Sequence, residues 1–163
     1  MNNYVEYSNI VPLVGPVDTA ATAIATPFVD MSNAHSLAFV AFFGAITTGT
    51  ADSNITVTVE ASSAASSGAE VAVPFVYRLS GAVGANTWGA ATTASTAGMS
   101  VASTDDNKIL WVEIDPGAML AELAGAQYVR MVLTPTADHT ATLFGVWAEL
   151  APRYRQVTYV SAT

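Results

Sequence analysis

The chain has no cysteine, which excludes a disulfide scaffold, thiolate catalysis and every cysteine-based zinc site. It has a single lysine, Lys108, and five cations in all against thirteen acidic residues, a net charge of −8. So few cations leave no phosphate-neutralising patch, and a nucleic-acid polyanion would be repelled. Long hydrophobic runs are also missing. The longest, Leu37 to Ile46 (LAFVAFFGAI), has ten residues, half of the roughly 20 that a helix needs to cross a bilayer. It reads as a buried strand, and no membrane partner is expected. The opening MNNYVEYSN lacks the cation-then-apolar order of a signal peptide, so no export signal is expected.

What fills the chain is small and neutral. Ala, Ser and Thr make up 62 of its 163 residues and charged residues only 11%. The larger apolar residues suffice for one ordinary core, so the unusual part is the surface, built from small uncharged side chains.

Period-two alternation recurs along the chain and helical periodicity is nearly absent, which points to strands with one face on a core. In Asn54 to Ala61, Ile55, Val57, Val59 and Ala61 share one parity and Asn54, Thr56, Thr58 and Glu60 the other. Val71 to Leu79 repeats the pattern, with Pro74 on the opposite parity marking an edge or a bulge. Leu37–Thr47, Lys108–Ile114, Tyr128–Thr134 and Thr140–Leu150 are further strand-like runs. The expected class is all-β, an antiparallel sandwich or barrel of about six to nine strands. One short helix is expected over about 116–124, capped by Asp115, opened by Pro116 and stopped at Gly125, with Met119, Leu120 and Leu123 covering the sheets.

Residues 35–150 form the expected domain. Residues 1–34, with Pro12, Pro16 and Pro27 and no steady period, read as an extended N-terminal arm, and 151–163 as a C-terminal strand or arm. The stretch from Ser80 to Asn107, rich in Gly, Ala, Thr and Ser and with no charge until Asp105, reads as a long surface excursion. Two segments, TADSNITVTVE (Thr50 to Glu60) and TADHTATLFGVWAE (Thr136 to Glu149), echo each other as hairpins turning at Asp52 and Asp138.

Residues that carry chemistry are thinly spread. His35 and His139 lie in no recognisable catalytic setting, and no serine has a nucleophile-elbow pattern around it. Asp105 and Asp106 in STDDNK lack the alternating ligands of a calcium loop and read as a polar turn. Glu113 and Asp115 share a strand face without a sign of the burial that acid and base work needs. Gly81, Gly84 and Gly89 match no phosphate or dinucleotide loop. No enzyme activity, catalytic residue, metal or cofactor is expected. Trp111 and Trp147 sit in apolar runs and read as core; Trp88, alone in a neutral loop, reads as a contact for a ligand or a neighbouring subunit. With Tyr4, Tyr7, Arg153, Tyr154, Arg155 and Tyr159, it makes up the candidate interface, because Tyr, Trp and Arg are favoured at interfaces.

The order of these pieces carries a resemblance. An apolar strand, a Thr/Gly turn, an alternating strand ending Val59-Glu60-Ala61 and a Ser/Gly/Ala segment come first. A strand closing on Glu113-Ile114-Asp115, a short helix and Tyr128-Val129-Arg130 opening the last pair of strands follow. Over roughly residues 35 to 150 this resembles small virion proteins of tailed bacteriophages, in particular head decoration (capsid cement) proteins. The resemblance implies a β-sandwich or barrel that binds the outside of an icosahedral capsid and bridges major capsid protein subunits. It also implies a homo-oligomer, dimer or trimer, assembled in the host cytoplasm and found on the capsid exterior. Other virion components (head fibre, tail or adaptor subunit) and a carbohydrate-binding β-sandwich module remain as alternatives.

Overall fold

The computed structural model describes residues 8–18, 22–48, 54–136 and 139–153. Within them the chain forms β1 (Asn9–Asp18), β2 (Ile24–Ala25), β3 (Val29–Asp30), β4 (Ala34–Thr48), β5 (Ile55–Ser62), β6 (Val71–Val73) and β7 (Phe75–Leu79). There follow β8 (Thr92–Ala94), β9 (Met99–Val101), a 3-10 turn (Ser103–Asp105), β10 (Ile109–Ile114), helix α1 (Pro116–Glu122), β11 (Tyr128–Pro135) and β12 (His139–Pro152).

The alternation in β5 is realised residue by residue: Ile55, Val57, Val59 and Ala61 are buried and Thr56, Thr58 and Glu60 face outward, half-buried. A strand of this pattern can only be satisfied by a second layer on its apolar side. That layer is present. One sheet (sheet 1) has the order β1-β12-β4-β10-β7-β8; the other (sheet 2) has the order β2-β11-β5-β6, with β3 also on β11 and β9 also on β5. Every strand pairing is antiparallel. The sheets do not close on each other, so of the two architectures expected the structure is the all-β sandwich and not the barrel. Between them lie Leu37, Phe39 and Phe43 of β4, Leu110 of β10, Met131 and Leu133 of β11 and Phe144 of β12. Phe43 and Phe144 are cross-strand partners whose ring centroids lie 6.2 Å apart, a contact that adds to their area burial.

There are more strands than the sequence pattern suggests, because β2, β3, β6, β8 and β9 are two or three residues long and too short to show a period. Pro74 separates β6, on sheet 2, from β7, on sheet 1. The proline therefore marks the place where an alternating run changes sheets, and its missing N–H is needed by neither ladder.

The two TAD segments are not hairpins. One joins β4 of sheet 1 to β5 of sheet 2, and the other joins β11 of sheet 2 to β12 of sheet 1. Both are crossings between layers, laced side by side: Thr136 N donates to Asn54 O at 2.9 Å and Asn54 N donates to Thr136 Oγ1 at 3.2 Å. Asp52 and Asp138 lie outside the described residues.

The boundary expected at residue 34 is not a structural one. β1 pairs with β12 along its length and β2 and β3 pair with β11, while Phe28, Val29 and Met31 are buried in the domain. β1 tolerates Pro12 and Pro16 because it is the edge of sheet 1 and has register shifts between Pro12 and Val14 and between Val14 and Val17. At the other end Ala151 and Pro152 continue β12.

The stretch from Ser80 to Asn107 is only partly a surface excursion. Its second half contributes Ala94 to sheet 1 and Met99 and Val101 to sheet 2, all buried. The STDDNK turn then returns the chain to sheet 1, with Asp106 Oδ1 accepting from Ile46 N at 2.7 Å and Asp105 Oδ1 accepting from Lys108 Nζ at 2.9 Å. Helix α1 starts as expected: Asp115 accepts from Gly117 N at 2.9 Å, Pro116 is the first helical residue, and Gly125 takes a left-handed φ of 80° beyond its end. Met119 is buried and Leu123 packs on the core, but Leu120 faces solvent.

Candidate functional site

Both sheets turn their closed apolar faces inward, so the outer faces and their rims hold the side chains free to act, and the two outer faces differ. On sheet 2 the outward residues of β5 and β11 are opposed as Thr58 to Val132, Thr56 to Thr134 and Glu60 to Arg130. Arg130 organises the centre. Its Nε and Nη2 reach Glu60 Oε2, each at 2.8 Å, its Nη2 also lies 2.9 Å from Glu70 Oε1, and its guanidinium stands 4.8 Å over the Phe28 ring. Glu70 Oε2 accepts from Gly68 N at 2.9 Å. That backbone bond, with one from the N–H of Glu70 itself and the nearby Arg130 charge, holds the Glu70 carboxyl below its ordinary range, against a smaller opposing effect of burial. This face is self-satisfied.

On sheet 1 the outward residues form rows across the strands. Pro12, Trp147, Val40, Trp111 and Arg78 are successive cross-strand partners, and one pleat further on Ile10, Glu149, Ala38, Glu113 and Val76 are. Val40 points away from the core and is still only 1% exposed, because Trp147 and Trp111 flank it on the neighbouring strands. The expectation that these two tryptophans belong to the core is therefore corrected: both stand on the outer face, half-buried. Large apolar side chains are left open here, with Ile10 47%, Phe42 43% and Leu143 57% exposed.

Trp88 joins this face. The loop after β7 is folded back by bonds from Gly81 N to Thr87 O at 2.9 Å and from Gly89 N to Leu79 O at 2.8 Å. A side chain at Gly81 would collide with Thr87 Oγ1, so the loop needs glycine there to close. The result is an edge-to-face pair, with the Trp88 and Trp111 centroids 6.2 Å apart and their planes at 78°. Trp111 Nε1 donates to Glu113 Oε1 at 3.0 Å, which orients the inner ring. Around the pair lie three concavities of about 680, 320 and 360 Å³.

The remaining candidates are dispersed. Arg153 N donates to Asn33 O at 2.9 Å and its Nε to Ala34 O at 3.2 Å, so it fastens the end of β12 to the chain's own β3–β4 turn. Tyr4, Tyr7, Tyr154, Arg155 and Tyr159 lie outside the described residues. Glu113 and Asp115 serve Trp111 and the helix cap respectively. His35 is exposed at the rim of the largest concavity, and the His139 side chain is outside the described set. Among the described residues no group of three or more His, Cys, Asp or Glu could hold a metal ion, and no helix is long and apolar enough to cross a membrane. The outer face of sheet 1 thus presents aromatic faces, aliphatic tips and a few charges. The parity of Trp111 and Trp147 was the available signal for it, hidden because residues on both sides of each are apolar.

No protein-family model matches this chain, and no curated protein matches it in sequence.

Proposed function

We propose that this is a structural virion protein that binds the outer surface of an icosahedral phage capsid and stabilises it by bridging major capsid protein subunits. The observation that carries the reading is the half of the sheet 1 outer face built by β1 and β12, where Ile10 and Leu143 stay 47% and 57% exposed. The core is complete without them. Ile10, opposite Glu149, and Leu143, opposite Asp18, stand open along the same strand pair without being used for folding, and such side chains suit contact with another protein.

The surrounding chemistry supports a protein lattice as that partner. A surface of Ala, Ser and Thr with 11% charge can be covered without stripping water from many ions. As a dimer or trimer the protein would make several modest contacts at once, and repetition over a shell adds their effects. The order of strands and the Glu113-Ile114-Asp115 and Tyr128-Val129-Arg130 motifs supply the resemblance to decoration proteins.

The test compares heads assembled with and without the protein, challenged by heat and by low salt. Decorated heads are expected to survive conditions that open bare ones, with hundreds of copies per head. Equal survival of both would overturn the stabilising role. A few copies at one vertex or on the tail would assign the protein to a fibre, tail or adaptor position instead.

A further inference from the structure

The three concavities of sheet 1 are one feature. Those of about 680 and 320 Å³ share Trp111 and Glu113, and those of about 320 and 360 Å³ share Trp88. Sharing walls, they lie side by side around the Trp88–Trp111 pair as one row of open sections, a trough, with Arg78 beside it. We infer that this trough is a binding site for a neutral oligosaccharide chain.

The chemistry of the lining selects this class of ligand. Indole faces offer flat apolar surface, and Trp88, 46% exposed, keeps much of its ring open to a ligand. A pyranose presents a matching patch of C–H groups on its ring face and a rim of hydroxyls. At the edges of the Trp pair stand a donor-only side chain, Arg78, and an acceptor-only one, Glu113. Hydroxyls, which donate and accept, satisfy both. Beyond the pair the trough continues in one direction past Ser36 and in the other past Ser80, Asn86, Thr87 and Asn107. These neutral hydrogen-bonding side chains suit further sugar rings.

Charge excludes acidic glycans. Glu113, Asp115 and Glu149 line the largest section, Arg78 is the one Lys or Arg among the described residues that line the trough, and the chain carries −8 overall. A sialylated or phosphorylated chain would meet net repulsion.

The inference rests on the trough alone and is independent of capsid docking. The purified full-length protein is titrated by calorimetry with neutral oligosaccharides of one to six rings and with acidic ones of equal length, taking hits from a glycan array. Binding is expected for neutral chains only and to tighten with length beyond a single ring. Trp88→Ala is expected to weaken it tenfold or more with an unchanged far-ultraviolet spectrum, and Arg78→Ala several-fold. Trp147→Phe, outside all three sections, should leave it as it was. Absence of binding to any neutral chain at millimolar concentration, preference for acidic chains, or equal binding by the parent, Trp88→Ala and Arg78→Ala proteins would overturn the inference. Because no head is present, either result leaves the docking experiment free to succeed or fail.

Discussion

The two outer faces of the sandwich come from the same small-residue chain and are opposite in kind. On sheet 2, Thr sits opposite Thr, and Arg130 gathers Glu60, Glu70 and the Phe28 ring into one closed cluster. On sheet 1, tryptophans, isoleucine and leucine stand outward, with Glu149, Glu113 and Arg78 interspersed among them and not gathered into one cluster. The outer face of sheet 2 serves the fold. Groups that satisfy one another contribute to stability and offer little to a partner, whereas apolar tips left open contribute little to stability and gain when a partner covers them.

Substitutions on the two faces separate stability from binding. The largest expected effect on stability is at Arg130. Arg130→Ala leaves two partly buried carboxylates unpaired, and a loss of about 2 kcal/mol is expected in urea unfolding, with head binding unchanged. A loss of binding without a loss of stability would reverse the assignment of the faces. Next, Ile10→Ser and Leu143→Ser combined are expected to weaken head binding tenfold or more, which is about 1.4 kcal/mol, while stability stays within about 0.5 kcal/mol of the parent. Asp115→Ala removes the cap of α1, which packs against β6 on the sheet 2 side, and is expected to lower stability by about 1 kcal/mol and leave binding alone.

The smallest effect is a pH dependence. The folded pKa of Glu70 lies below its ordinary 4.5, so its contribution to stability is fully present above that value and is lost as pH falls through the folded value. The stability difference between the parent and Glu70→Gln is therefore expected to be constant at neutral pH and to narrow as acid is added below 4.5. A difference that widens in acid would contradict the closed-cluster account.

Much of the sandwich was legible because half-buried strands write a period of two. β5, β10, β11 and the helix cap at Asp115 follow the sequence closely. β1 was not, since its prolines mimic an irregular arm and are tolerated at the outermost position that the strand holds in sheet 1 among the described residues. The layer crossings after β4 and β11 look like hairpins in sequence, because an Asp-containing turn is the same whether the chain returns to its own sheet or passes to the other. Trp88 stands out in the sequence because its loop is neutral. The outward side of Trp111 does not, because a run such as Ile109-Leu110-Trp111-Val112 is apolar on both parities and does not say which side faces out. Only the register, which sets Trp111 beside Val40 and Arg78, decides it.

The most direct test of the working face is carbene footprinting of the protein free and bound on heads, read side chain by side chain. The account predicts that Ile10 and Leu143 lose label on binding while Thr56, Thr58 and Arg130 keep theirs. Loss of label at Thr56, Thr58 and Arg130, with Ile10 and Leu143 labelled as in the free protein, would contradict it.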